Sequence, residues 1–321
     1  MIKSGKNKLA LAIVGAAALA VAGLGTAGIK NTRHNLGSSA ASNGPDNNRT
    51  DATGEICVFC HTPHGADNAA AVPLWNRALE SDAANTYTTY DQLGTSSLDG
   101  GVVAVGSVSI ACLSCHDGQQ AMDVMINEPG SGTDTISAGT WSGSTSDGLT
   151  GGDTMNDANF GITFIGTDLT NDHPIGIQYA GGGESGSRGD GEGTVSNYAD
   201  TDFKPAWKGT VNNMPIWWVP TVAATGSSDI GDVDGNGGTK ASGASRTAGT
   251  APTSRNKTDM QLYTRLLVSQ GGGIFDSGTD GAADAEPYVE CASCHDPHTE
   301  NATFLRVDNF GSGVCLACHT K

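Results

Sequence analysis

The chain has 321 residues, enough for one large or two ordinary domains, but only 37% are hydrophobic and 46 are glycine, so aliphatic packing alone would build a thin core. Its 34 acidic against 17 basic residues give a net charge of -17, which repels phosphate backbones and anionic membrane surfaces and argues against nucleic-acid binding.

Taken in chain order, the sequence begins with Lys3, Lys6 and Lys8, an apolar run from Leu9 to about Leu24, and then small residues. This is the layout of a secretory signal peptide over residues 1–27, with cleavage after Ala22 or Ala27; an uncleaved anchor is the competing reading, against which the short apolar run weighs. No other long apolar stretch follows, so no transmembrane segment is expected after cleavage, and residues 28–321 are expected to act outside the cytoplasm as one domain. Residues 28–66 form a polar strip holding His34, Cys57-Val-Phe-Cys60-His61 and His64. A short Leu74-Trp75-Asn76-Arg77-Ala78-Leu79 segment precedes Cys112-Leu-Ser-Cys115-His116, and Met122-Asp-Val-Met125-Ile126 reads as a short amphipathic helix.

Residues 119–285 are a long insertion rich in Gly, Ser and Thr, with loops expected over Tyr179–Gly193 and Thr225–Ser254. Its one candidate ligand is His173, in the turn-like Asn171-Asp172-His173-Pro174. Met214-Pro-Ile-Trp217-Trp218-Val-Pro220 is a compact apolar patch. Asp232-Val-Asp234-Gly-Asn236 resembles the start of a calcium loop, but position twelve is Gly243 rather than Glu, so an acidic loop is the simpler reading. Leu262, Leu266 and Leu267 share a face of a helix predicted over Thr258–Gln270, stopped by Gly271–Gly273. Cys291-Ala-Ser-Cys294-His295 and Cys315-Leu-Ala-Cys318-His319 close the sequence.

All eight cysteines fall into these four C-x-x-C-H motifs, with none left over. Two thiols one helical turn apart reach the two vinyl groups of a haem, and the adjacent His61, His116, His295 or His319 then sits beneath the iron as proximal ligand. Paired C-x-x-C units also build Cys₄ zinc sites, but zinc has no need of a histidine after each pair. Cys57, Cys60, Cys112, Cys115, Cys291, Cys294, Cys315 and Cys318 are therefore assigned to four covalent haem c groups.

Four histidines remain for four sixth ligands: His34, His64, His173 and His298. The simplest assignment makes every haem bis-histidine, with Met122 or Met125 as the alternative donor. His64 and His298 occur in matching settings, three residues after a proximal ligand and stiffened by Pro63 and Pro297. That reach is too short to cross to the other face of the same haem, so each must serve a neighbour. The expected fold is irregular, mostly coil with short helices at the motifs and little β structure, with a stack of haems in place of the aliphatic core. In that frame the Trp217-Trp218 patch is expected against a porphyrin face or at a subunit contact.

These motifs resemble those of OmcE-like tetrahaem outer-surface cytochromes of metal-reducing bacteria, whose subunits stack into conductive filaments. The resemblance rests on Glu55–Gly65, Leu74–Arg77, Ala111–Gly118, Asn171–Pro174, Val289–His298 and Cys315–His319. It implies a continuous haem chain in which one distal histidine comes from the adjacent copy, His64 being the first choice and His34 the second. Six-coordinate irons offer no vacant site for a substrate, so an electron carrier is expected rather than an enzyme. Its partners would be other copies of itself and other redox proteins or extracellular acceptors. A monomeric periplasmic shuttle and the electron-input subunit of a multihaem reductase are the alternatives.

Overall fold

The computed structural model describes residues 28–43, 48–79, 87–95, 98–133, 136, 141–142, 154–155, 162–172, 174–182, 199–204, 206–211, 214–221, 257–265 and 286–320. The proposed signal segment, His173, the loop from Asp232 to Gly243 and most of the Gly/Ser/Thr-rich runs lie outside the described residues. No described helix is long and apolar enough to cross a membrane.

Every motif starts on a helical turn. The turns are Cys57–Phe59, the ten-residue helix Ser107–His116, Cys291–Cys294 and Gly313–Cys318. A helical turn brings residues three apart onto one side, which is what a pair of thiols meeting one ligand requires. In the first, third and fourth motifs the histidine N–H closes the turn on the first cysteine carbonyl, at 2.8, 3.1 and 2.9 Å. His295 and His319 themselves are extended, so the chain leaves the turn at the histidine.

The strands are β1 (Arg49–Thr50), β2 (Trp141–Ser142), β3 (Ile177–Gln178), β4 (Trp207–Val211), β5 (Met214–Val219), β6 (Met260–Arg265) and β7 (Glu286–Val289). β1 pairs with β2, and the other five form an antiparallel sheet ordered β3-β7-β6-β5-β4. Trp217 faces Leu262 across β5 and β6, and Tyr263 faces Tyr288 across β6 and β7. Aromatic and β-branched side chains fit this pleated surface well. The insertion thus holds more β structure than its composition led us to expect.

Three local expectations are corrected. The leucine spacing that predicts a helix over Thr258–Gln270 loses to strand β6, whose place between β5 and β7 pairs both of its edges. As a strand it buries Met260, Leu262, Tyr263, Thr264 and Arg265 together, where a helix would cover one stripe. Trp217 and Trp218 sit in the chain's own core at 3% and 1% exposure; Trp217 packs with Val219, Met260 and Leu262 and with Ala317 of the fourth motif. Met122–Ile126 forms turns instead of a helix, because its backbone groups are already taken. Arg77 donates to the Ala121 and Met122 carbonyls, and the Ile126 N–H goes to Asn76 rather than to Met122.

A buried ion pair fastens the sheet to two motifs. Arg265 Nη1 lies 2.6 Å from Glu290 Oε1, with the two side chains 3% and 0% exposed. Ser109, on the second-motif helix, donates to the other Glu290 oxygen and accepts from the Cys291 N–H at 3.0 Å. Glu290 also caps the Cys291–Cys294 turn through a reciprocal exchange with Ser293. Burial holds its carboxyl above the ordinary range despite Arg265 and Ser109 beside it. Arg265→Met strands Glu290 in this interior and is expected to cost about 3 kcal/mol or more in urea unfolding. The double variant Arg265→Met/Glu290→Gln should recover part of that loss, whereas a double-variant loss equal to the sum of the Arg265→Met and Glu290→Gln losses would show that the pair is not coupled.

Candidate functional site

Three of the four motif histidines are held by an antiparallel bridge to another segment of the chain. His61 bridges Trp75, His295 bridges Leu305 and His319 bridges Phe203 in the same antiparallel way. The backbone bonds repeat accordingly: Thr62 N–H to Leu74 and Asn76 N–H to Cys60, Asp296 N–H to Phe304 and Arg306 N–H to Cys294, Thr320 N–H to Asp202 and Lys204 N–H to Cys318. At the second motif the Ile165 N–H donates to the His116 carbonyl.

The bracing strand also orients the ring. His61 Nδ1 lies 2.8 Å from the Pro73 carbonyl, His116 Nδ1 2.7 Å from Thr163 and His295 Nδ1 2.8 Å from Thr303. A carbonyl can only accept, so Nδ1 carries the proton and Nε2 keeps its lone pair for an iron. In all three cases the carbonyl belongs to the residue two positions before the one set against the histidine. At the first and third motifs the intervening residue is a non-glycine in the left-handed region, Leu74 and Phe304, both at φ 58°. Such backbone costs about 1–3 kcal/mol per residue. Here it turns the carbonyl toward the imidazole.

The structure brings two distal candidates onto proximal rings. His34 and His116 have ring centroids 6.2 Å apart with planes at 69°, and His61 and His298 are 6.1 Å apart with planes at 13°. One iron with an imidazole nitrogen about 2 Å away on each face separates the centroids by roughly 6 Å, so both pairs fit a bis-histidine haem. His34 is braced by Phe304, whose ring stacks on it at 4.1 Å and 14°. Its buried Nδ1 has no hydrogen-bond partner. Burial, then His116 beside it, lowers His34 to about 4, which keeps it neutral as a ligand must be. His298 is anchored through its N–H, 2.9 Å from Asp296 Oδ1.

The other two distal candidates stand apart from these pairs. His64 is exposed, and only its carbonyl is engaged, by Thr62 Oγ1 at 3.1 Å and Asn127 Nδ2 at 2.8 Å. His173 lies outside the described residues, but Leu169 and Ile175, on either side of it, pack with Leu113 and Cys291. The ring nearest His319 is that of Phe203, at 4.1 Å. Met122 is buried with Phe59 and Trp141 against Cys60 and Cys115.

All eight thiols are free, and they run in space in the order of the sequence. Burial and then Cys115 push Cys60 up to about 12, the neighbouring Cys291 and burial hold Cys112 well above its ordinary value, and Cys294 lies near Cys315. Burial and then Cys294 likewise push Cys318 up to about 12. Among the described residues no three His, Cys, Asp or Glu side chains form a metal cluster. The motifs therefore fit covalent haem attachment, in which the porphyrin supplies the equatorial donors. Pro73, Thr163 and Thr303 escaped the reading of the sequence because they act through their carbonyls. Phe304 escaped it because its contact spans distant segments.

Residues 286–321 match the family model for the doubled CXXCH motif, which covers the third and fourth motifs together. No curated protein matches the chain. The match supports a multihaem c-type cytochrome with covalently attached haem c, and an electron carrier. His298→Ala is expected to keep the haem content of the wild type and to add the absorption band of one high-spin haem. A spectrum that stays wholly low-spin would show that His298 is not the partner of His61.

Proposed function

We propose that this is a tetrahaem c-type cytochrome that carries electrons along four bis-histidine haems in the order of its motifs, as the subunit of an extracellular haem-stacked filament. The observation that carries the reading is the pair of imidazole couples, His34 with His116 and His61 with His298, at 6.2 and 6.1 Å. A bound haem supplies a reversible one-electron couple. Coordination from both sides leaves no position for a substrate, which favours carriage over reductase chemistry.

The remaining assignments follow by elimination. His173, flanked by residues that pack on Cys291, serves His295. His64 is left for His319, and the two belong to opposite ends of the thiol series, so the pair forms between copies. His64 is exposed at the first motif, the position a donated ligand needs. Completing the coordination sphere and joining two subunits are then a single event, and the signal-like N-terminus would deliver the chain to the cell exterior.

One observation favours a second reading. Trp217 and Trp218 are buried in the chain's own core, so the apolar patch that would have promoted self-assembly is spent internally. A monomeric periplasmic shuttle, or the electron-input subunit of a reductase, needs no such surface.

Electron microscopy and haem staining of the shed extracellular fraction separate the readings. Haem-positive filaments are expected, with four haems per chain. His64→Ala should abolish them and leave one high-spin haem per chain. Discrete periplasmic particles that stay fully low-spin would overturn the filament and favour the shuttle.

A further inference from the structure

Among the described residues three arginines are buried beside the motifs, and two of them are neutralised. Arg265 meets Glu290 at 2.6 Å, and Arg306 lies 3.8 Å from Asp296, which also faces Lys257 and His298. Arg77 differs. It is 1% exposed, and its guanidinium is held by three backbone carbonyls: Met122 at 2.8 Å, Ser114 at 3.0 Å and Ala121 at 2.6 Å. Its Nε is buried without a hydrogen-bond partner, and among the described residues no carboxylate forms an ion pair with it.

A guanidinium does not lose its proton in a protein, so Arg77 is a permanent buried cation. It stands between the first two motifs: Ser114, whose carbonyl it binds, lies inside Cys112–His116, and Asn76, the residue before it, donates its N–H to the Cys60 carbonyl of the first motif at 2.9 Å. Carbonyl dipoles stabilise the cation without cancelling its charge. In a low-dielectric interior that field stabilises an added electron nearby, and so raises the potential of a redox group there.

The charges around the other motifs do not match it. At the second, Asp117 is a buried carboxylate next to His116, fixed by Tyr87 Oη at 2.6 Å and Gln119 N–H at 2.9 Å, and it opposes Arg77 on that side. At the third, Arg265 and Arg306 each have their acid. At the fourth, Lys204 donates to the Leu316 carbonyl from a partly solvated position, where water screens it. Near the first motif, Glu55 is exposed and Asp67 is half-buried, so both act through water.

We propose that Arg77 gives the haem of the first motif the highest reduction potential of the four, so that electrons entering the chain settle at the Cys57–His61 end. This deepens the tetrahaem reading and rests on it. It assigns the wire a direction.

The test is a potentiometric titration of the haem-loaded protein followed by absorption. Arg77→Met is expected to move the most positive component to lower potential by more than any of the other three, while Arg77→Lys keeps it high. An unmoved component in a fully loaded Arg77→Met protein overturns the proposal. Should that variant fail to fold, His298→Met marks the first-motif component by changing its ligand; if that component is not the most positive in the wild type, the proposal is likewise overturned. Haem content, measured first, separates the two levels. A first motif without haem removes the tetrahaem reading and this proposal together, whereas four haems and an unmoved component remove only the role of Arg77.

Discussion

The hydrogen bond from a proximal imidazole Nδ1 to a main-chain carbonyl is the contact on which the rest of this structure depends. It turns a histidine that merely follows a cysteine pair into a ring of fixed tautomer and fixed direction, at His61, His116 and His295. At His61 and His295 the carbonyl comes from a second piece of chain bridged antiparallel to the histidine. The first and third motifs are therefore not loops carrying ligands but halves of small bridged units. The strained backbone at Leu74 and Phe304 belongs to the same device, and Phe304 serves twice because its ring also supports His34. Neighbouring motifs are thereby tied together through His34 and the ring that steadies it.

The long insertion takes part in this scheme instead of hanging from it. It supplies Phe203, which bridges His319, and the strand that follows it, β7, runs directly into Glu290 and Cys291. Between them the sheet buries Trp217 against the helix of the fourth motif. The Arg265–Glu290 pair adds a polar tie to the second-motif helix through Ser109. A chain poor in aliphatic residues thus places small apolar clusters where the motifs meet. Cluster by cluster, they include Cys60 and Cys115, Cys291, or Cys318 at their margins.

The four motifs, the helical turns beneath them and the candidate histidines were legible in the sequence, because covalent attachment demands a fixed local spacing. The matching environments of His64 and His298 were legible too. Their short reach from His61 and His295 argued for service to a neighbour, and His298 lies against His61. What was not legible depends on distant chain. His34, read alone, is one histidine in a polar strip, and only the approach of Phe304 and His116 buries it. The Thr258–Gln270 segment carries a leucine pattern compatible with a helix or a strand, and the flanking strands decide it. Met122–Ile126 has helical periodicity, but Arg77 and Asn76 claim the backbone groups a helix would have used.

Cys112 and Cys291, from motifs far apart in the sequence, are near neighbours in the folded chain. On the tetrahaem reading proposed above, each of these sulfurs has to reach its own haem, so thioether formation at the second and third motifs before they dock would keep an oxidant from joining one to the other and losing two attachment sites at a stroke.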